Sequence, residues 1–166
     1  GNGSVTKNPD QATYHYGDMV ALTATPEAEW YFGGWSPNVV GGNITITGNT
    51  LVTATFSQNN YKLTIDIVGN GTVTKNPDQA TYHYGDVVAL TATPDAGWSF
   101  GGWSGNVVGG NVTINGNTTV TATFTQNVYT LTVDIVGNGS VTKNPDQATY
   151  HYGDVVALTA TPDAGW

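Results

Sequence analysis

The chain has 166 residues with four lysines, no arginine and twelve acidic residues, a formal net charge of −8. Nucleic acid and anionic membrane surfaces are recognised by clustered Lys and Arg, so neither is an expected partner. With 39% hydrophobic and 11% aromatic residues the composition is too apolar for disorder, its apolar runs fall short of the roughly 20 residues of a spanning helix, and the absence of cysteine excludes a disulfide framework.

A stretch of thirty residues, Gly69 to Trp98, recurs almost letter for letter at Gly1 to Trp30 and at Gly137 to Trp166, 68 residues away each time. Such a period marks a tandem array of small modules, each contacting its neighbours. Taken in register, residues 1–58 are a module without its first strand, 59–127 a complete module, and 128–166 the opening part of a third. The expectation is a window from a longer tandem chain. The alternative is a subunit whose first module is completed by a strand from a neighbouring chain.

In the complete module, Tyr61, Leu63, Ile65 and Ile67 alternate with Lys62, Thr64, Asp66 and Val68, the period of a strand with one buried face. Gly69-Asn70-Gly71 follows, and Asn-Gly between alternating runs predicts an antiparallel hairpin of Tyr61–Val68 with Thr72–Lys75. Asn76-Pro77-Asp78 ends that strand. Thr81–Tyr84 is a short strand, Gly85-Asp86 a turn, and Val87–Thr93 a longer strand with Val88, Leu90 and Ala92 on one face. Beyond Pro94–Gly97, Trp98, Phe100 and Trp103 run through Gly101-Gly102 and are expected to fill the core of so small a module. Val112 and Ile114 form a short strand, Asn115-Gly116-Asn117 a second hairpin turn, and Val120, Ala122 and Phe124 the inner face of a last strand with threonines outside. No stretch keeps a helical period, so the fold class is all-β, mainly antiparallel, in modules of about 68 residues.

The chemistry-bearing residues all have a structural reading. Ser4 and Lys7 match S-x-x-K, but on a strand residues three apart face opposite ways, so no acylating pair is expected. His15, His83 and His151 each lie between two tyrosines and point to solvent if both rings turn inward. Asp78 and Asp86 are weak candidates for a Ca²⁺ site, lacking the tight spacing of an acidic calcium loop. Trp35 and Trp103 are candidates for stacking on surface glycans. Asn43, Asn111 and Asn117 begin N-x-Thr sequons and are candidates for glycosylation.

The runs Tyr61–Asp66, Gly69–Thr74, Tyr82–Pro94, Gly97–Gly105 and Val120–Phe124 together resemble the divergent internalin B-type repeat of bacterial and archaeal surface proteins. The resemblance spans the whole module and returns in every copy. It implies an extracellular or cell-surface setting and a small module related to the β-grasp type. The first copy departs from it at Glu29, Tyr31 and Pro37, where the second has Gly97, Ser99 and Gly105. The expected role is non-enzymatic: a stalk, spacer or fibre segment whose partners are neighbouring repeats. Two rivals stand beside it, a filament subunit that joins other copies of itself by strand donation, and a carbohydrate-binding adhesin.

Overall fold

The computed structural model describes residues 1–166, and they contain sixteen strands and no helix. The first copy holds β1 (Gly3–Asn8), β2 (Met19–Pro26), β3 (Trp30–Ser36), β4 (Asn43–Thr45) and β5 (Thr53–Gln58). The second holds β6 (Leu63–Val68), β7 (Gly71–Asn76), β8 (Val87–Pro94), β9 (Trp98–Ser104), β10 (Val107–Val108), β11 (Asn111–Thr113) and β12 (Thr118–Gln126). The third holds β13 (Val128–Tyr129), β14 (Gly139–Asn144), β15 (Tyr150–His151) and β16 (Ala157–Pro162).

The chain divides into two compact units whose borders cut across the repeat. One takes in Gly1–Lys62, Thr81–Asp86 and Ile114–Gly116; the other takes in Leu63–Ala80, Val87–Thr113 and Asn117–Trp166. In the first unit, β1, β2 and β4 form one antiparallel sheet and β3 pairs with β5 in another. Val20 and Ile44, opposite each other on β2 and β4, are buried. Tyr61 and Tyr82 form a backbone bridge in the same unit, and the Tyr82 side chain is fully buried.

In the second unit, β7, β8, β11 and β10 make an antiparallel sheet, and a three-stranded sheet places β12 between β9 and β6. Val88, Val112, Val120 and Ala122 are fully buried, and Leu90 and Phe124 nearly so, as the alternation of Val87–Thr93 and Val120–Phe124 predicts.

Two local expectations are corrected. Tyr61–Val68 and Thr72–Lys75 do not form a hairpin: β6 runs parallel to β12, with Leu63 opposite Thr118 and Val68 opposite Thr123, whereas β7 pairs with β8. Nor does the turn at Asn115–Asn117 join a hairpin, because β11 belongs to the sheet of β8 and β12 to that of β6. Each turn therefore hands the chain from one sheet to the other. Gly69 takes a φ of 84° in the two-residue turn between β6 and β7, and the glycines at 69 and 71 also permit a close approach. A methyl on Gly71 would lie 2.5 Å from the Phe124 ring, and one on Gly69 2.3 Å from the Phe124 carbonyl oxygen. The parallel pair of first and last strands needs a crossover as long as the module, which no local signal announces.

The Gly-Gly pairs form β-bulges. The register between β9 and β12 shifts at Thr123/Phe124, so that Gly101 has no opposite residue, and the same shift occurs between Phe32 and Gly34 in β3. An extra residue reverses the alternation of faces, so Phe100 and Trp103, three apart, meet edge to face at 5.0 Å between centroids. The aromatics stand at the margin of the core, with Trp98 and Trp103 half-buried and valines and Phe124 at its centre.

Candidate functional site

Each copy repeats the same polar bonds. Across a cis Asn-Pro peptide, Lys7, Lys75 and Lys143 pair with Asp10, Asp78 and Asp146 at 3.1, 2.9 and 3.0 Å. The Tyr14 and Tyr150 hydroxyls donate to the Pro9 and Pro145 carbonyls at 2.8 and 3.0 Å. Hydrogen bonding to Asp10 and Asp146 holds the Lys7 and Lys143 ammonium groups above their ordinary value. The Asp18, Asp86 and Asp154 carboxylates accept from the backbone N–H of His15, His83 and His151 at 2.8, 2.8 and 2.7 Å. Only the tyrosine before each histidine turns inward: Tyr150 is buried and Tyr82 fully so, while Tyr16, Tyr84 and Tyr152 are exposed.

The candidate calcium ligands are thus engaged separately, Asp78 by Lys75 and Asp86 by the His83 amide. No three His, Asp or Glu side chains are grouped to hold a metal ion. Trp35 and Trp103 are both half-buried, each with a Phe edge against its ring at 5.0 Å, Phe32 and Phe100 respectively. Asn43 and Asn111 open β4 and β11 as exposed residues, their side-chain amides donating to the carbonyls of Gly41 and Gly109 at 3.2 Å. Asn117 is exposed beside its turn.

The most distinctive chemistry lies where one copy leads into the next, and there the two joints differ. In the first unit the Tyr61 hydroxyl donates to the Glu29 carboxylate, and the Asn59 amide donates to the Glu29 carbonyl at 2.8 Å. The hydrogen bond to Glu29 raises the Tyr61 phenol above its ordinary 10.0. In the second unit Gly97 replaces the glutamate. The Asn127 amide keeps the equivalent bond at 2.7 Å, but a methyl at Gly97 would lie 2.3 Å from Cβ of Tyr152. Sequence reasoning registered Glu29 as a departure from the pattern but not its partner. The signal was there: a glutamate at the position where the other two copies have glycine, Gly97 and Gly165, and the structure gives that position a φ of 66° at Glu29 and 81° at Gly97.

One further feature belongs to the first unit. β5 pairs on one side with β3, and its other side borders a cleft of about 660 Å³ lined by Val20, Leu22, Trp35, Ile44, Val52 and Ala54 among others. The matching strand of the second copy, β12, has a neighbour on each side. No helix of the chain is long and apolar enough to cross a membrane.

A family model described as the divergent InlB B-repeat domain matches residues 1–60, 61–128 and 129–166. No curated protein and no solved structure matches the chain.

Proposed function

The chain belongs to the divergent InlB B-repeat family, and from that premise we propose that it is a structural segment of a cell-surface protein, a stalk or spacer that holds other parts at a distance. The observation that carries this reading is the repetition of bonds. In copy after copy the Lys–Asp pair and the His amide–Asp bond close turns, and in the complete second copy the apolar alternation fills a core. Polar groups used in this way position backbone and do not converge on a reacting atom. The reading is accordingly non-enzymatic and extracellular, the setting that the resemblance implies.

Connections are short: two residues, Asn59 and Asn60, separate β5 from Tyr61, and one, Asn127, separates β12 from β13. A spacer gains length by adding copies. Chains carrying one, two and three additional 68-residue copies are expected to show a maximum dimension in small-angle scattering that rises by the same increment each time. A dimension growing only as the cube root of mass would show a collapsed globule and overturn the reading.

A further inference from the structure

Tension along a chain of repeats enters each copy at one end and leaves it at the other. In the second copy, which has a neighbour on either side, both routes pass through one pair of strands. The first copy leads through Asn59 and Asn60 into Tyr61 and β6, and β12 leads through Asn127 into the third. β6 and β12 lie side by side and parallel, from Leu63 opposite Thr118 to Val68 opposite Thr123. A pull from both ends therefore drags β6 toward its Leu63 end and β12 toward its Gln126 end, in opposite senses along the pair. β7, β8, β10 and β11 lie between them in the chain, on the other sheet, and bear no tension until this pair parts.

The direction of the load decides how a ladder resists it. Peeled from one end, a ladder yields one bond at a time; sheared along its length, the evenly spaced bonds of these six facing parallel pairs are loaded together. We propose that β6 and β12 form a shear clamp, a load-bearing device that keeps the complete copy folded while the array is under tension. The proposal rests on the reading of the chain as a stalk or spacer and adds to it the capacity to carry force.

The packing around the pair suits that load. Ile65 and Ile67 stand opposite Val120 and Ala122, both fully buried, and Leu63 at the loaded end of β6 is only 8% exposed. Just past the other end of β6, a methyl on Gly69 would lie 2.3 Å from the Phe124 carbonyl oxygen and 2.8 Å from the Trp98 ring, so the chain is closely seated there too. β12 is gripped on its second side by β9, from Thr121 opposite Ser104 to Gln126 opposite Trp98. Withdrawing β12 thus shears two ladders and withdrawing β6 only one, which makes the β6–β12 ladder the one that yields first. The sequence of both strands recurs along the chain. Residues 129–136, Tyr-Thr-Leu-Thr-Val-Asp-Ile-Val, repeat the alternation of residues 61–68, and Thr53–Phe56 repeat Thr121–Phe124. Resistance of this kind is set by the barrier to forced unfolding, a rate, and is not read from equilibrium stability.

Pulling single molecules of the 166-residue polypeptide in two directions tests it. The chain has no cysteine, so an introduced pair defines the points of attachment. Lys62→Cys with Gln126→Cys holds the two strands at opposite ends and shears the ladder, whereas Lys62→Cys with Asn117→Cys holds them at the same end and peels it. All three positions are exposed, and amide-exchange protection at Val120 and Ala122 checks that each variant keeps the fold. Should Lys62→Cys loosen it, the exposed Asn60→Cys serves as the same anchor in both pairs. At one loading rate the sheared pair is expected to rupture at a several-fold higher force than the peeled pair. Rupture is expected in one event, releasing about 3.3–3.6 Å of chain for each residue between the anchors. Equal forces in the two directions, or a sheared pair that lengthens in a series of small steps, would overturn the clamp. Neither result touches the growth of length with copy number, by which the spacer role stands or falls separately.

Discussion

β5 and β12 carry the same Thr-Ala-Thr-Phe run, at residues 53–56 and 121–124, and end in different surroundings. Between β6 and β9, β12 has Val120 and Ala122 fully buried and Phe124 at 3% exposure. β5 pairs with β3 on one side, and Val52, Ala54 and Phe56 remain half-exposed. The residues that form the core are therefore the same in both copies, and their burial is decided by a strand that lies far away in the chain. The joints make a second contrast of the same sort: one position holds Glu29 bonded to Tyr61 in one copy and Gly97 under Tyr152 in the other.

The comparison breaks or sharpens most clearly at the parallel strand itself. Leu63→Ala removes a side chain only 8% exposed and is expected to cost about 2–4 kcal/mol. The matching Leu131→Ala, at a half-exposed site without a ladder, is expected to cost less than about 1 kcal/mol. Equal losses in chemical denaturation would show that the two strands share one environment after all.

Gly71→Ala puts a methyl 2.5 Å from a Phe124 ring that is held on all sides, and overpacking of about 1–3 kcal/mol is expected. Gly3→Ala makes the same 2.5 Å approach to Phe56. There the half-exposed ring has room to shift, so the loss measured by thermal unfolding is expected to be smaller. If Gly3→Ala proves the costlier of the two, the openness of the first copy is misjudged.

Exchanging the joints gives a smaller effect. Gly97→Glu sets a side chain against Tyr152 and is expected to expose the β13–β15 ladder, read as lost amide protection at Val128 and Tyr129. Glu29→Gly surrenders the Tyr61 hydrogen bond but relieves a φ of 66° on a non-glycine residue, so the net change is expected to stay within about 1 kcal/mol. Protection that survives Gly97→Glu would mean that the two joints are interchangeable.

The smallest expected effect is a pH dependence confined to the first joint. The Glu29 hydrogen bond favours the neutral phenol of Tyr61 and raises its value above 10.0 in the fold. Its contribution is thus complete below the ordinary tyrosine range and fades as pH rises through the raised value. Tyr61→Phe is expected to flatten the fall in stability above about pH 10. An unchanged slope in Tyr61→Phe would detach the bond from stability.

Much of the local structure was legible. Alternation located β8 and β12 with their inner faces, and Pro and Gly clusters located the breaks between strands. Local chemistry misled where one signal serves two purposes. Gly69-Asn70-Gly71 satisfies the demands of a hairpin turn and does turn the chain, but into another sheet, and its glycines also admit the Phe124 ring and backbone. Gly101-Gly102 gave no sign in advance of the bulge that brings Phe100 to Trp103. The tyrosines flanking each histidine looked equivalent, and only the first of each pair turns inward where the chain bridges back to an earlier tyrosine.

The 68-residue beat, the all-β class and the inward sets of valines follow from the order of residues, because alternation and turn preference act over a few neighbours. Which strands lie side by side was settled only in three dimensions. Pairing β6 with β12 joins residues 55 apart in sequence, Leu63 with Thr118 (118 − 63), and whether such a pairing forms depends on closing a long loop and on what else competes for the same edge.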